Sequence, residues 1–147
     1  MANESAEAEA GRFDRAVEHW NAGRFWHAHE DWEDLWNEAY DEHKLWLQGL
    51  IQYAAAFFHF ERGFHASGFE RLMATATEKT RGYAGPRHHL DWPALQRDLL
   101  PWIAYGRAVA GGAAFPAAPA PLPVLRYVAG YEPQPLPWEP DDEAEDE

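Results

Sequence analysis

The sequence predicts an all-α protein, a compact bundle of about five helices built from antiparallel helical hairpins, with a Pro-rich C-terminal extension. Apolar residues recur at helical spacing along most of the chain up to residue 110, and almost no segment alternates like a strand. Eight of the eleven prolines lie between Pro116 and Pro140, where a regular helix is not expected. We therefore expect a helical bundle domain at 11–110, a Pro-rich extension at 111–138 and an acidic tail at 139–147.

Residues that begin or end helices divide the bundle domain into its elements. The expected helices run from about Arg12 to Trp20, from about Arg24 to Tyr40, from about Lys44 to Glu61, from about Phe64 to Arg81, and onwards from Asp91. Asn21-Ala22-Gly23 ends the first helix, and Gly63 separates the third from the fourth. Asp91 caps the fifth helix, with Pro93 in its first turn, and Pro101 should kink it. Because the third helix is apolar nearly all round, we expect it to be central.

The second helix combines an apolar face with buried polar residues. Its apolar residues lie within one arc of about 100°, and they are Phe25, Ala28, Trp32, Leu35, Trp36 and Ala39. His29 lies inside this arc, Glu33 lies at its edge about 40° from His29, and Glu30 lies about 60° further out. On the opposite face we expect four solvated side chains, those of His27, Asp31, Asp34 and Glu38. A buried polar group without a partner costs about 1–3 kcal/mol, so the polar residues of the arc indicate a site.

The third helix carries a matching polar stripe, because Gln48, Gln52 and His59 fall within about 40° of one another. If residues 41–43 form the turn, the two helices are antiparallel, and Glu33 lies opposite Gln52. His29 then lies about 4.5 Å along the axis from Gln52 and about 6 Å from His59. One site can therefore contain His29, Glu33, Gln52 and His59. Gln48 lies about 16 Å from His59 and cannot share its ligand.

Imidazole and carboxylate groups are ligands for zinc, iron, manganese or nickel, so His29, Glu33 and His59 are the candidate metal ligands, with an open position left over. Gln52, Gln48 and Trp36 would surround them. Glu33 or Glu30 would act as the base if a metal-bound water were activated. The alternative is a hydrogen-bonded network in the core that fixes the helix register without any metal.

Known metal-binding spacings do not decide between these alternatives. In an HExxH motif the fourth position after His29 would be histidine, whereas here it is Glu33. The chain contains no Glu-x-x-His, which excludes the ferritin-like di-iron pattern. A separate donor cluster, His88-His89-Leu90-Asp91, lies in the loop before the fifth helix, but capping by Asp91 explains part of it.

Composition restricts the environment and the partners. The net charge of −13 belongs mainly to the ends, because residues 1–10 hold three acids and 139–147 hold seven, without any Lys or Arg. We expect both ends to be solvated and disordered. The body has no basic face with interleaved aromatic residues, so we expect no nucleic-acid partner. The longest apolar stretch, Leu45 to Phe60, is interrupted by polar residues and is too short for a membrane span.

Cysteine is absent, so disulfides and thiolate chemistry are excluded, as is common in a reducing compartment. The first ten residues lack the basic and apolar regions of a signal peptide, and we expect a cytoplasmic protein. Homo-oligomerisation stays open. The Pro-rich extension either packs on the bundle, through Val124, Leu125, Tyr127 and Val128, or serves as the ligand of a proline-binding groove; we prefer packing or disorder to that second role.

The chain resembles the bacterial and archaeal helical family catalogued as domain of unknown function number 309. The resemblance rests on His29-x-x-x-Glu33-x-x-Trp36, preceded by Gly23-x-Phe25-x-x-Ala28 and followed by Gln48-Gly49-Leu50-Ile51-Gln52. The hairpin from Gly63 to Arg81 and the helix start at Leu90-Asp91 extend it over residues 12 to 110. It implies a compact all-α domain and a metal role for the His-x-x-x-Glu-x-x-Trp motif, and it implies no substrate.

Two classes of function follow, and they leave open whether the protein is an enzyme. The first is a metal-binding, hydrolytic protein that uses His29, Glu33 and His59. The second is a non-catalytic helical-hairpin scaffold or interaction module in which the polar residues form a structural network.

Overall fold

A computed structural model describes residues 2–85 and 87–139 of the chain. Within them the chain forms five helices, α1 (Ala2–Asn21), α2 (Phe25–Trp36), α3 (Asp41–Arg62), α4 (Ala66–Thr80) and α5 (Trp92–Ala110). The part of the chain that the structure describes has no named strand, only isolated bridges of Leu90 with Arg87 and with Tyr127. The predicted all-α class is confirmed.

The helices pack mainly against their neighbours in the sequence, α1 on α2, α2 on α3, α3 on α4 and α4 on α5. α3 is central, as predicted, because it packs against α2 and α4 and its Phe57 also contacts Trp20 of α1 and Trp102 of α5. It ends where Gly63 takes a left-handed conformation, with φ of 67°, which glycine adopts without strain. Five tryptophans fill the core with almost no exposure: Trp20, Trp32, Trp46, Trp92 and Trp102.

Three helix boundaries differ from the predictions. α1 begins at Ala2 instead of Arg12, so residues 2–10 are helical and the predicted disorder at this end is wrong. The segment is rich in alanine and glutamate, which have high helix propensity. α2 ends at Trp36 instead of Tyr40, and α3 begins at Asp41 instead of Lys44. The predicted turn at 41–43 is therefore wrong, because residues 37–40 connect the two helices. α5 begins as predicted, because the Asp91 side chain accepts a hydrogen bond from the Ala94 N–H at 3.2 Å.

The predicted solvent face of α2 is half wrong. Asp34 and Glu38 are exposed as expected, but His27 and Asp31 are buried, at 9% and 6% exposure. α1 packs against this side of α2, and Arg15 binds Asp31 through two hydrogen bonds of 2.9 and 2.8 Å. Burial of Asp31 is possible because this pair satisfies both charges.

Residues 111–139, which we call the strap, contain no helix and run along the bundle from α5 to α1. The indole N–H groups of Trp102 and Trp20 donate to the carbonyl oxygens of Pro121 and Pro123, at 3.2 and 2.8 Å. Leu125 is buried, and Tyr127 and Val128 are half-buried, so the predicted packing is confirmed for these residues. It is wrong for Val124, which is exposed.

Two further observations concern the acidic tail and the possibility of a membrane-spanning helix. The predicted acidic tail lies outside the described residues except for Glu139, whose carboxylate lies 3.4 Å from the Arg15 guanidinium. Among the helices that the structure describes, none is long and apolar enough to cross a membrane.

Candidate functional site

The antiparallel register predicted for α2 and α3 is confirmed. The two helices form a small cleft of about 110 Å³ lined by Glu33, Trp36, Gln48, Ile51 and Gln52. Glu33 therefore lies near Gln52 and Trp36 near Gln48, as the two polar stripes predicted. The cleft is the part of the predicted site that the structure assembles.

Glu33 lies at the rim of this cleft instead of inside the core, since its side chain is 52% exposed. The expectation that Glu33 is buried is wrong, because its place at the edge of the apolar arc leaves it open to solvent. His29 is largely buried, and its Nε2 atom lies 3.7 Å from Glu33 Oε2. That distance is too long for a hydrogen bond, but it allows the two groups to share a ligand or attract each other when the imidazole is protonated.

Among the described residues, no ring contact joins His59 to His29. Trp26 stacks on the His29 ring, with centroids 4.7 Å apart, and also packs on Phe58 at 5.2 Å. The ring contacts of His59 are with Phe58, Phe64 and His65, the last at 6.0 Å. The structure therefore separates the predicted ligand set into a His29–Glu33 pair and a His59–His65 pair.

The His59 ring lies beside α4. A Cβ atom at Gly68 of α4 would lie 3.8 Å from His59 Nε2, an ordinary van der Waals distance, so the imidazole packs against this helix without requiring a glycine. Burial, and then the nearby His65, lower the pKa of His59. In the described residues no group of three or more His, Asp or Glu side chains is arranged to hold a metal ion.

Four polar atoms of the predicted site residues are buried without a hydrogen-bond partner in the protein, namely His29 Nδ1, Trp36 Nε1, Gln52 Oε1 and His59 Nδ1. Trp36 and Gln52 line the cleft. Buried polar atoms are normally hydrogen-bonded. A polar group or water that enters the cleft is therefore expected to supply the partners of Trp36 and Gln52.

The surface around the cleft is acidic. Between Phe25 and His43 the chain has seven acids and no Lys or Arg. Six of these acids are exposed, and they are Glu30, Glu33, Asp34, Glu38, Asp41 and Glu42. Glu30 does not line the cleft. The Lys44 ammonium lies over the Trp36 ring, 4.3 Å from its centroid, which shows that a cation is accommodated beside this indole.

Sequence analysis missed a second buried carboxylate. Asp14 of α1 accepts hydrogen bonds from the hydroxyls of Tyr127 and Tyr131, both at 2.7 Å, and from the Gln134 N–H at 2.9 Å. Burial, followed by the hydrogen bond to Asp14, raises the pKa of Tyr131 to about 12 and that of Tyr127 above its usual range. Both hydroxyls thus stay protonated donors at neutral pH, and Asp14 anchors the strap. The only signal in the sequence is an acid among the apolar residues of α1.

Residues 13–72 match the model of the family described as "Domain of unknown function (DUF309)". The match contains the complete His29-x-x-x-Glu33-x-x-Trp36 motif, and it confirms the resemblance for these residues. It ends within α4, so the resemblance over residues 73–110 stays a prediction. No curated protein and no solved structure gives a significant match.

Proposed function

We propose that this chain, which carries the DUF309 domain at residues 13–72, is a non-catalytic binding module whose α2–α3 face binds a basic segment of a partner polypeptide. A Lys or Arg side chain of the partner enters the cleft beside Glu33. The observation that carries the proposal is the combination, in one cleft, of the Glu33 carboxylate with the unpartnered carbonyl oxygen of Gln52.

The chemistry of the cleft suits a cation. Glu33 supplies a negative charge, Gln52 supplies an acceptor, and Trp36 supplies an aromatic ring. The five other exposed acids, in α2, the connection and the first turn of α3, add a negative potential that attracts basic partners. The cleft volume of about 110 Å³ accepts one side-chain head group, whereas sites for complete small molecules typically have about 300–1,000 Å³.

Two further features support a polypeptide partner. Tyr40, in the α2–α3 connection, is 79% exposed, and Leu45, three residues before Gln48 on α3, is also exposed. Exposed aromatic residues next to a charged cleft are typical of protein-binding surfaces. Within the cleft, Glu33 has neither a nucleophile nor a second acid among the lining residues, so the lining supports binding and no acid–base chemistry.

The test is an NMR titration of the full chain with N-acetyl-lysine methylamide and N-acetyl-arginine methylamide. We expect the Trp36 indole N–H and the Gln52 amide signals to shift, and Glu33→Gln to weaken this binding about tenfold, as for loss of a charge-assisted contact. Glu38→Gln is the matched control, because it removes the same charge from an exposed residue outside the cleft. Equal effects of the two substitutions would show that only long-range charge matters and would overturn the proposed site.

A metal-binding function remains the second candidate, because His29 Nε2 and Glu33 Oε2 lie 3.7 Å apart and offer two donors. His59 would not take part. Zinc or manganese added in the same titration distinguishes the candidates, since a metal site at this pair is abolished by His29→Ala, whereas binding of the lysine probe is not. Homo-oligomerisation, a cytoplasmic location, and the absence of nucleic-acid and membrane partners stay predictions.

A further inference from the structure

A second pair of histidines lies on the other side of α3, away from the cleft. His43, in the first turn of α3, and His88, in the loop between α4 and α5, point their Nε2 atoms at each other across 3.1 Å. The His88 ring stacks flat on Phe13 of α1, with centroids 4.2 Å apart and planes 8° apart. Trp46 flanks both imidazoles, at 6.2 and 6.1 Å. Three separate elements thus fix the position of this pair.

Two consecutive left-handed residues in the loop determine the position of His88. His88 and His89 have φ values of 52° and 61°, in the left-handed region that residues other than glycine rarely occupy. Such conformations persist only where surrounding contacts impose them, and they cluster at functional sites. Here the turn is closed by hydrogen bonds between Arg87 and Leu90, and Leu90 is fully buried.

We infer that His43 and His88 bind a divalent cation of the zinc, cobalt or nickel type through their two Nε2 atoms. Metal–imidazole bonds of about 2.0–2.1 Å at a tetrahedral centre place two ligand nitrogens about 3.3 Å apart. The observed separation of 3.1 Å differs from that value by about 0.2 Å, so the two nitrogens are close enough to share one ion once each ring turns from the other nitrogen towards it. The proton between the rings moves to the other nitrogen of its imidazole when the ion binds, so both ligands stay neutral.

The electrostatic surroundings keep both ligands available. Burial lowers the pKa of His43 and lowers that of His88 to about 4, so both imidazoles are neutral at pH 7. Among the charged groups that face the pair, Glu9 and Asp14 of α1 favour a cation. Arg87 opposes it, and His89 does so when protonated. The oxygens of Asp14 accept hydrogen bonds from the strap, so water completes the coordination.

The experiment uses the untagged full chain, with cobalt absorption spectra and competition for zinc against a coloured chelator. We expect one ion per chain, and loss of affinity of about tenfold or more in His43→Gln and in His88→Gln. The matched control is His65→Gln, because His65 also lies beside another histidine, His59, with ring centroids 6.0 Å apart. Absence of binding by the wild type, or an equal loss in the His65→Gln variant, would overturn the inference.

A second variant tests the site without replacing either histidine, so its result does not depend on how the ligand substitutions affect the loop. Arg87→Gln removes the facing positive charge, and we expect it to tighten zinc binding about two- to tenfold at low salt. Unchanged or weaker binding in this variant would contradict an ion at this pair. Because Glu33 lies in the cleft between α2 and α3, Glu33→Gln should leave cobalt binding intact. The metal site and the proposed function can therefore be disproved separately.

Discussion

Arg15 and Asp31 form a buried, two-pronged ion pair between α1 and α2, with side chains only 5% and 9% exposed. Removing Asp31 takes the two-pronged partner from a buried guanidinium, and breaking a buried ion pair costs about 3–5 kcal/mol. We therefore expect Asp31→Ala to lower the free energy of unfolding by about that amount in urea denaturation. Glu33→Ala and Asp34→Ala should each change it by less than about 1 kcal/mol, because both carboxylates are exposed. Equal losses in all three variants would contradict this assignment of burial.

The same residues show what a single helical wheel can and cannot predict. The wheel correctly placed Trp32 and Leu35 in the core and Glu33 beside Gln52. It could not show that α1 covers a second side of α2, because the evidence for that contact is Arg15, in another helix. A charged residue is predicted to be exposed unless its partner is known. Here the partner of Asp31 is Arg15, which is distant in the sequence.

At the scale of elements, local signals predicted helix ends but not loop paths. Gly63 and Asp91 end and begin helices where the sequence placed them, because a left-handed glycine and a capping carboxylate act within one turn. The loop with His88 was recognised only as a donor cluster. Its approach to His43 depends on a stack against Phe13 and on two left-handed residues, for which periodicity contains no signal.

This loop should make the protein sensitive to acid. The pKa of His88 is lowered to about 4 in the folded state, while the unfolded chain has the ordinary imidazole value of 6.5. As the pH falls, His88 is therefore protonated in the unfolded state before it is protonated in the folded state. Its contribution to the free energy of unfolding is fully present above pH 6.5 and is lost as the pH falls from 6.5 towards 4. The melting temperature of the metal-free wild type should fall over this range, and it should fall less in His88→Gln. An identical pH profile for the two proteins would contradict a buried, neutral His88.

The whole molecule is closed by the strap. The closest helix packing joins consecutive helices, and α1 and α5, at the two ends of that series, each pack a tryptophan on Phe57 of α3. The strap connects these ends, because Trp102 and Tyr105 of α5 and Trp20 and Asn21 of α1 all hydrogen-bond to its backbone. Sequence composition indicated an extended segment that packs on the bundle. Its path could not be predicted, since single hydrogen bonds from buried indoles and an amide fix it instead of a repeating pattern.

Neighbouring strap residues provide a test of whether this closure belongs to the cooperative fold. Leu125 is buried, and Asn21 binds both its N–H and its carbonyl oxygen, whereas Val124 is exposed. Leu125→Ala should therefore cost about 2–5 kcal/mol in the global unfolding transition, because it leaves a cavity between the strap and the bundle. Val124→Ala should change stability by less than about 0.5 kcal/mol. If Leu125→Ala leaves the main transition unchanged and only increases protease cleavage within residues 111–139, the strap detaches separately and the helices are stable without it.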